Sequence, residues 1–171
     1  MRDCIDIHTH IVPESFPRYA GKNADVPWPS MADAHACHKH VMISGKVYRT
    51  VSDGCWSVPR RLEDMDGMRV TRQALSPMPE LLSYWLPLAD GQALIRYLNE
   101  QIAAMVERAP QRFVGLGAVP LQDVDRAIEE LQYLKKLGFA GAEIASHVNG
   151  ASIGEPRFEP FFAAAESLGA A

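Results

Sequence analysis

Cysteine is scarce in this 171-residue chain: there are three, Cys4, Cys37 and Cys55. The number is odd and no Cys-x-x-Cys spacing occurs, so neither a disulfide framework nor a four-thiolate zinc site is expected. Each thiol reads as a reduced, partly buried small residue. No stretch approaches the roughly 20 consecutive apolar residues that a membrane-spanning helix requires, so no membrane partner is expected. Nor does a basic segment followed by an apolar core open the chain, which makes the cytoplasm the expected location. Basic runs are missing too. The formal net charge is −4, from 17 Lys and Arg against 21 Asp and Glu, and this offers nucleic acid no electrostatic footprint. The Gly-x-Ser-x-Gly elbow, the Walker loop and the Gly-x-Gly-x-x-Gly turn are all absent. So are internal repeats and low-complexity segments.

What is present is an ordinary domain composition, 47% hydrophobic and 22% charged, read as one domain over residues 1–171 with a core of useful size. Short apolar runs alternate with longer amphipathic ones, the pattern of β-α units. Strands are expected at 5–10, 70–77, 113–120 and 139–146, the second and third closed by Pro77 and Pro120, which cannot donate to a ladder. Helices are expected at about 58–67, at 90–108 with Asp90 as N-cap, at 124–137 and at about 159–168. In the longest, Leu94, Leu98, Ile102, Met105 and Val106 recur at spacings of three and four and make one apolar face. Lys135 and Lys136 suit a helix C-terminus, and Gly138 the position just after it. Residues 13–56 break this rhythm and read as an insertion after the first strand, with a hairpin turning at Ser44-Gly45. The count is four β-α units, the first half of a (β/α)8 barrel, and the last helix ends where a fifth strand would begin.

Chemistry concentrates in "IDIHTH", residues 5–10. Side chains at i and i+2 of a strand share a face, so His8 and His10 stand side by side with Thr9 turned away. Two neutral imidazoles at the C-terminal end of a strand can hold one metal ion, but a catalytic zinc site takes three protein ligands and a water. Further donors must come from elsewhere. His147, just past the fourth strand, is a candidate for substrate contact, as is Trp85, with Trp56 and Tyr84 as further aromatics near strand ends. Ser76 follows the second strand without the marks of a nucleophile. "HACHKH", 35–40, gathers His35, Cys37, His38 and His40, and reads as a mobile solvated loop rather than a metal site. Asp53 and the "RRLEDMD" charges, 60–66, read as a helix start and its solvated face.

Four collinear segments carry a family resemblance: "IDIHTHIVP", then "GKVYRTVSDGCWSVPRRLEDMDGMRVTRQALSPMPELLSYW", then "PQRFVGLGAVPLQDVDRAIEEL", then "LGFAGAEIASHVNG". Together they resemble the amidohydrolase-2 family, and within it the metal-dependent decarboxylases, over nearly the whole chain. The resemblance implies a distorted (β/α)8 barrel with a small inserted β subdomain after the first strand. It implies a divalent metal, zinc or alternatively manganese, held by His8 and His10. It matches Arg49 of "KVYRT" to an arginine that contacts a substrate carboxylate, a role suited to a planar guanidinium fork. The implied activity is non-oxidative decarboxylation of a small carboxylated molecule by a metal-activated water. Hydrolysis of an ester, lactone or amide is the alternative. The family's remaining ligands and its general acid/base lie on later strands, so the catalytic group is expected beyond residue 171 and these residues alone are not expected to complete a catalytic site. From a different class, a non-catalytic half-barrel would act as a binding or assembly module, with its open edge strands inviting a homodimer.

Overall fold

A computed structural model describes residues 4–23 and 25–171. Its centre is a four-stranded parallel sheet in the order β1-β5-β6-β7, made by β1 (Ile5–Ile11), β5 (Arg72–Pro77), β6 (Phe113–Gly117) and β7 (Gly141–Ala142). The first connection carries the antiparallel sheet β2-β3-β4, residues Ser30–His35, His38–Ile43 and Lys46–Ser52, and then helix α1 (Val58–Met68). Helices α2 (Leu88–Arg108) and α3 (Val124–Lys136) form the next two crossovers. A small hairpin of β8 (His147–Val148) and β9 (Ala151–Ser152) precedes α4 (Glu159–Ser167). Among the described residues no helix is long and apolar enough to cross a membrane.

The elements follow the sequence pattern closely, and the departures have identifiable causes. The third strand stops at Gly117 because a side chain takes over its ladder. Fully buried Asn99 of α2 accepts from Ala118 N–H at 2.8 Å and donates to Ala118 C=O at 3.0 Å. The regular part of the fourth strand shrinks to two residues, although the extended chain continues to donate to β6 from Ala140 and Glu143 at 2.9 and 2.8 Å. On its other side, Ala142 N–H donates to Ala171 C=O and Ala171 N–H to Ala140 C=O, at 3.1 and 3.0 Å. Helix α2 begins at Leu88 after Pro87, so Asp90 lies in its first turn and is not its cap. There the carboxylate accepts the Tyr19 hydroxyl at 2.9 Å and complements the helix dipole.

Helix α3 is capped by Asp123, which accepts Arg126 N–H at 3.0 Å, and closes on Gly138 with φ +81°, the left-handed value glycine adopts without strain. Residues 35–40, expected as a mobile loop, form the β2–β3 hairpin instead. The expected turn at Ser44-Gly45 joins β3 to β4 with both φ values positive, 51° and 71°. That is the signature of a two-residue hairpin turn. Cys4 and Cys37 are exposed, not partly buried, and only Cys55 has the expected intermediate position.

Two apolar cores result. The larger lies between the parallel sheet and its helices and holds Leu75, Ile95, Ile102, Phe113, Leu131, Leu134 and Phe139. A residue larger than glycine at 115 would drive its Cβ to 2.8 Å from the Phe139 ring, which is how the strand and chain pack so closely there. The smaller core lies under the antiparallel sheet and joins Val12, Val41, Val51, Met78, Leu81 and Leu86 to Leu94 and Leu98 of α2. Helix α2 thus contributes to both. Each such buried leucine is worth roughly 1.5–3 kcal/mol of transfer free energy.

Candidate metal centre

Between Asp6 and Thr9, β1 spends three residue steps where β5 spends two, so a bulge falls at Ile7 and His8. The Asp6 carboxylate accepts the His8 N–H at 3.1 Å and ties the bulge down. Thr9 turns to the neighbouring strand, its hydroxyl donating to Ala74 C=O at 2.7 Å. The imidazoles of His8 and His10 end up beside each other, with ring centroids 5.0 Å apart and planes at 81°.

His10 is held from behind. Its Nδ1 lies 3.1 Å from Pro77 C=O, 3.1 Å from the Ser76 hydroxyl and 3.5 Å from Glu143 Oε2. The Ser76 hydroxyl itself donates to Thr9 C=O at 3.1 Å. A carbonyl can only accept, so the Pro77 contact places the ring proton on Nδ1 and leaves Nε2 as the unprotonated nitrogen. The His10 backbone is fixed as well, since Arg61 Nη2 donates to its carbonyl at 2.8 Å while Nη1 donates to Gln73 Oε1 at 3.2 Å. Burial lowers the Arg61 pKa, with the charges of Cys55, Asp6 and Asp64 opposing.

Arg61 therefore belongs to a buried face and not to a solvated one. Val58, Arg61 and Met65 are the buried residues of α1, and their spacings of three and four were the signal for it.

His8, His10, Ser76 and Glu143 share a cavity of about 180 Å³ with Ile7 and Leu116. Beyond His10 lies Glu80, whose Oε1 accepts the Tyr48 hydroxyl at 2.6 Å and sits 3.8 Å from Arg49 Nη2. Burial alone would raise the Glu80 carboxyl; the Tyr48 hydroxyl, its own backbone N–H and the charges of Arg49 and His10 outweigh that and hold it below the usual range. Arg49 projects from β4, its side chain 56% exposed. Glu80 and Glu143 are two groups that the sequence did not single out; each carries a buried oxygen, Oε2, with no hydrogen-bond partner among the described residues.

His147 is exposed on β8 with Nδ1 3.1 Å from the Ser146 hydroxyl, and Trp85 is 53% exposed; neither lines this cavity. Tyr84 is buried, and burial pushes its pKa up to about 12, aided by the Glu143 charge and opposed by the Ala145 N–H. In the hairpin, the rings of His35 and His38 stack at 4.2 Å, and His40 Nδ1 meets the Thr50 hydroxyl at 2.9 Å.

Among the described residues no three His, Cys, Asp or Glu side chains converge as a closed ligand set. The donors at the β1 mouth nevertheless suit a divalent cation. Two adjacent imidazoles, one with its tautomer fixed, stand beside a carboxylate with an unpartnered oxygen.

Comparison with known proteins defines the class. The amidohydrolase family model matches residues 5–171, and the chain belongs to that family. The curated 2-amino-3-carboxymuconate-6-semialdehyde decarboxylase of Dictyostelium discoideum is 37% identical over 168 residues, 98% of this chain and 47% of its own length. Among solved structures, the 5-carboxyvanillate decarboxylase of Novosphingobium aromaticivorans, complexed with manganese and 4-hydroxy-3-methoxy-5-nitrobenzoic acid, matches with TM-score 0.65. That match is 27% identical, over 69% of this chain and 34% of that one. The IDCase of Metarhizium anisopliae, 17% identical, shares the fold over 98% of this chain and 49% of its own, with TM-score 0.76. The chain spans about half the length of the curated relatives it matches. The fold is the first half of a (β/α)8 barrel, as the alternation of elements predicted, with a small β subdomain inserted after the first strand, as the family resemblance implied.

Proposed function

We propose that this chain supplies the metal-binding and carboxylate-binding part of a divalent-metal-dependent, non-oxidative decarboxylase acting on a small carboxylated molecule. The observation that carries this reading is the pairing of His8 and His10 at the C-terminal end of β1, with His10 Nδ1 tied to Pro77 C=O. Such barrels build their sites at that end of the strands. Bound there, zinc or manganese is a Lewis acid that can bring the pKa of a water to about 7.

The chain's own residues do the rest of what can be derived. His8 and His10 offer imidazole nitrogens, Ser76, Pro77 and Arg61 hold His10 in place, and Ile7 and Leu116 give the cavity an apolar wall. Arg49 takes the substrate carboxylate, which must compete with Glu80 for it. His147 and Trp85 lie farther out and approach the substrate from the rim. The general acid/base comes from residues outside these 171, and a cytoplasmic homodimer is consistent with the same reading.

The test is carbon dioxide release from a panel of aromatic and unsaturated carboxylic acids by the gene product carrying this chain, loaded with Zn²⁺ or Mn²⁺. Metal-dependent release, abolished by His8→Ala and His10→Ala, is the expected result. Metal-dependent cleavage of esters, lactones or amides without decarboxylation would instead make it a hydrolase. Uptake of no metal at all would leave only the assembly module.

A further inference from the structure

The ligand reading leaves one charged group of the cavity without a task. Glu143 follows β7 directly, its backbone N–H anchored to Gly117 C=O at 2.8 Å. Its Oε2 is buried, lacks a hydrogen-bond partner among the described residues, and lies 3.5 Å from His10 Nδ1. Leaving a buried acceptor unpaired is costly, and more so when it is charged. The other cavity walls near it, Ile7 and Leu116, offer no side-chain donor. As the site stands, the Nδ1 proton of His10 has two nearer acceptors at 3.1 Å, the Pro77 carbonyl and the Ser76 hydroxyl, and both are neutral. A cation on Nε2 changes that ranking. It draws electron density from the ring, makes Nδ1–H a stronger donor, and favours the anionic acceptor, because charge-assisted hydrogen bonds are roughly twice as strong as neutral ones.

Resting on the reading of His8 and His10 as ligands, we propose that Glu143 is a positioning residue for the metal site. Its carboxylate takes the Nδ1–H of His10 when a divalent cation is held at Nε2. Glu143 thereby secures the tautomer, raises the basicity of the ligating nitrogen and offsets part of the cation's charge. It acts through His10 and needs no contact with the metal. Carboxylates placed behind a ligating histidine in this way affect metal affinity on the order of 10–100-fold.

The experiment uses the gene product carrying this chain, ¹⁵N-labelled and titrated with Zn²⁺ alone, read by long-range ¹H–¹⁵N spectra of the histidine rings and by calorimetry. The expected result is a downfield shift of the His10 Hδ1 resonance on zinc addition. Glu143→Gln, which keeps the shape and removes the charge, should lose that shift and bind zinc on the order of tenfold more weakly. It should still unfold at the wild-type temperature in the absence of zinc. If Glu143→Gln does not fold, the wild-type resonance decides alone: a His10 Hδ1 that zinc does not move overturns the proposal. Loss of zinc in His10→Ala, with wild-type affinity and resonance in Glu143→Gln, removes Glu143 and leaves the ligand reading standing. Zinc uptake that is absent, or indifferent to both His8→Ala and His10→Ala, overturns both.

Discussion

His10 is held by the sheet backbone and by buried side chains tied to it, whereas Arg49 is held by a single carboxylate. Behind His10 stand a backbone carbonyl, a hydroxyl that is itself tied to the backbone, and the buried Arg61 gripping the histidine's own carbonyl. Arg49 leans on Glu80 at 3.8 Å from a half-exposed position on the antiparallel sheet. A contact of that length and exposure contributes at most about 1 kcal/mol. On the proposed reading, the imidazole end of the site is held in fixed placement and the guanidinium end is free to exchange. This is the division that a site holding a resident ion and a transient carboxylate would need.

The largest expected effect lies at the rigid end. His8→Ala and His10→Ala should each abolish retention of divalent metal by the gene product, measured by metal analysis after desalting; full retention in either variant would remove that residue from the ligand set. Next comes Arg61→Ala, which strips the hydrogen bonds from His10 C=O and Gln73 Oε1 in a buried place. We expect a loss of about 2–3 kcal/mol in urea unfolding, and an unchanged midpoint would show that the histidine does not depend on this anchor. At the exchangeable end, Arg49→Ala should raise KM for carboxylated substrates about tenfold or more while leaving kcat nearly intact. Equal KM values would take the carboxylate role from Arg49.

The smallest effect belongs to Glu80. Its folded-state pKa is held below the ordinary 4.5, so the stability contributed by its charge is present above that value and is lost as pH falls through the folded pKa. Glu80→Gln should therefore lower stability slightly near neutrality and flatten the acid side of the profile, converging on the wild type below the folded pKa. A steeper acid loss in the variant would show that the charge is not stabilising.

Much of the framework was legible in the sequence because it rests on periodicity. Leu94, Leu98 and Ile102 announce a helix face, and the apolar runs closed by Pro77 and Pro120 announce strands. The ladder of β6 ended early because Asn99, a polar residue inside an apolar helix pattern, supplies hydrogen bonds that no periodicity records. The β2–β3 hairpin is hidden in the sequence because half of its strand residues are polar and its turn residue Cys37, at φ 61°, is not a usual turn former. At the candidate site, the histidine pair was readable from its spacing. Arg61, Glu80 and Glu143 were not singled out, because a charged residue reads as solvated until the fold shows what it faces.

Helix α2 has a further consequence for how separable the inserted sheet is. Twenty-one residues at 1.5 Å each make a shaft of about 30 Å, and Leu94 and Leu98 on it are covered in the same cluster as Val41 and Val51. Excising the hairpins would not yield a smaller, simpler barrel half. It would uncover a leucine ridge that the rest of the fold has no means to hide, so the insertion behaves as a structural member and not as a removable cassette.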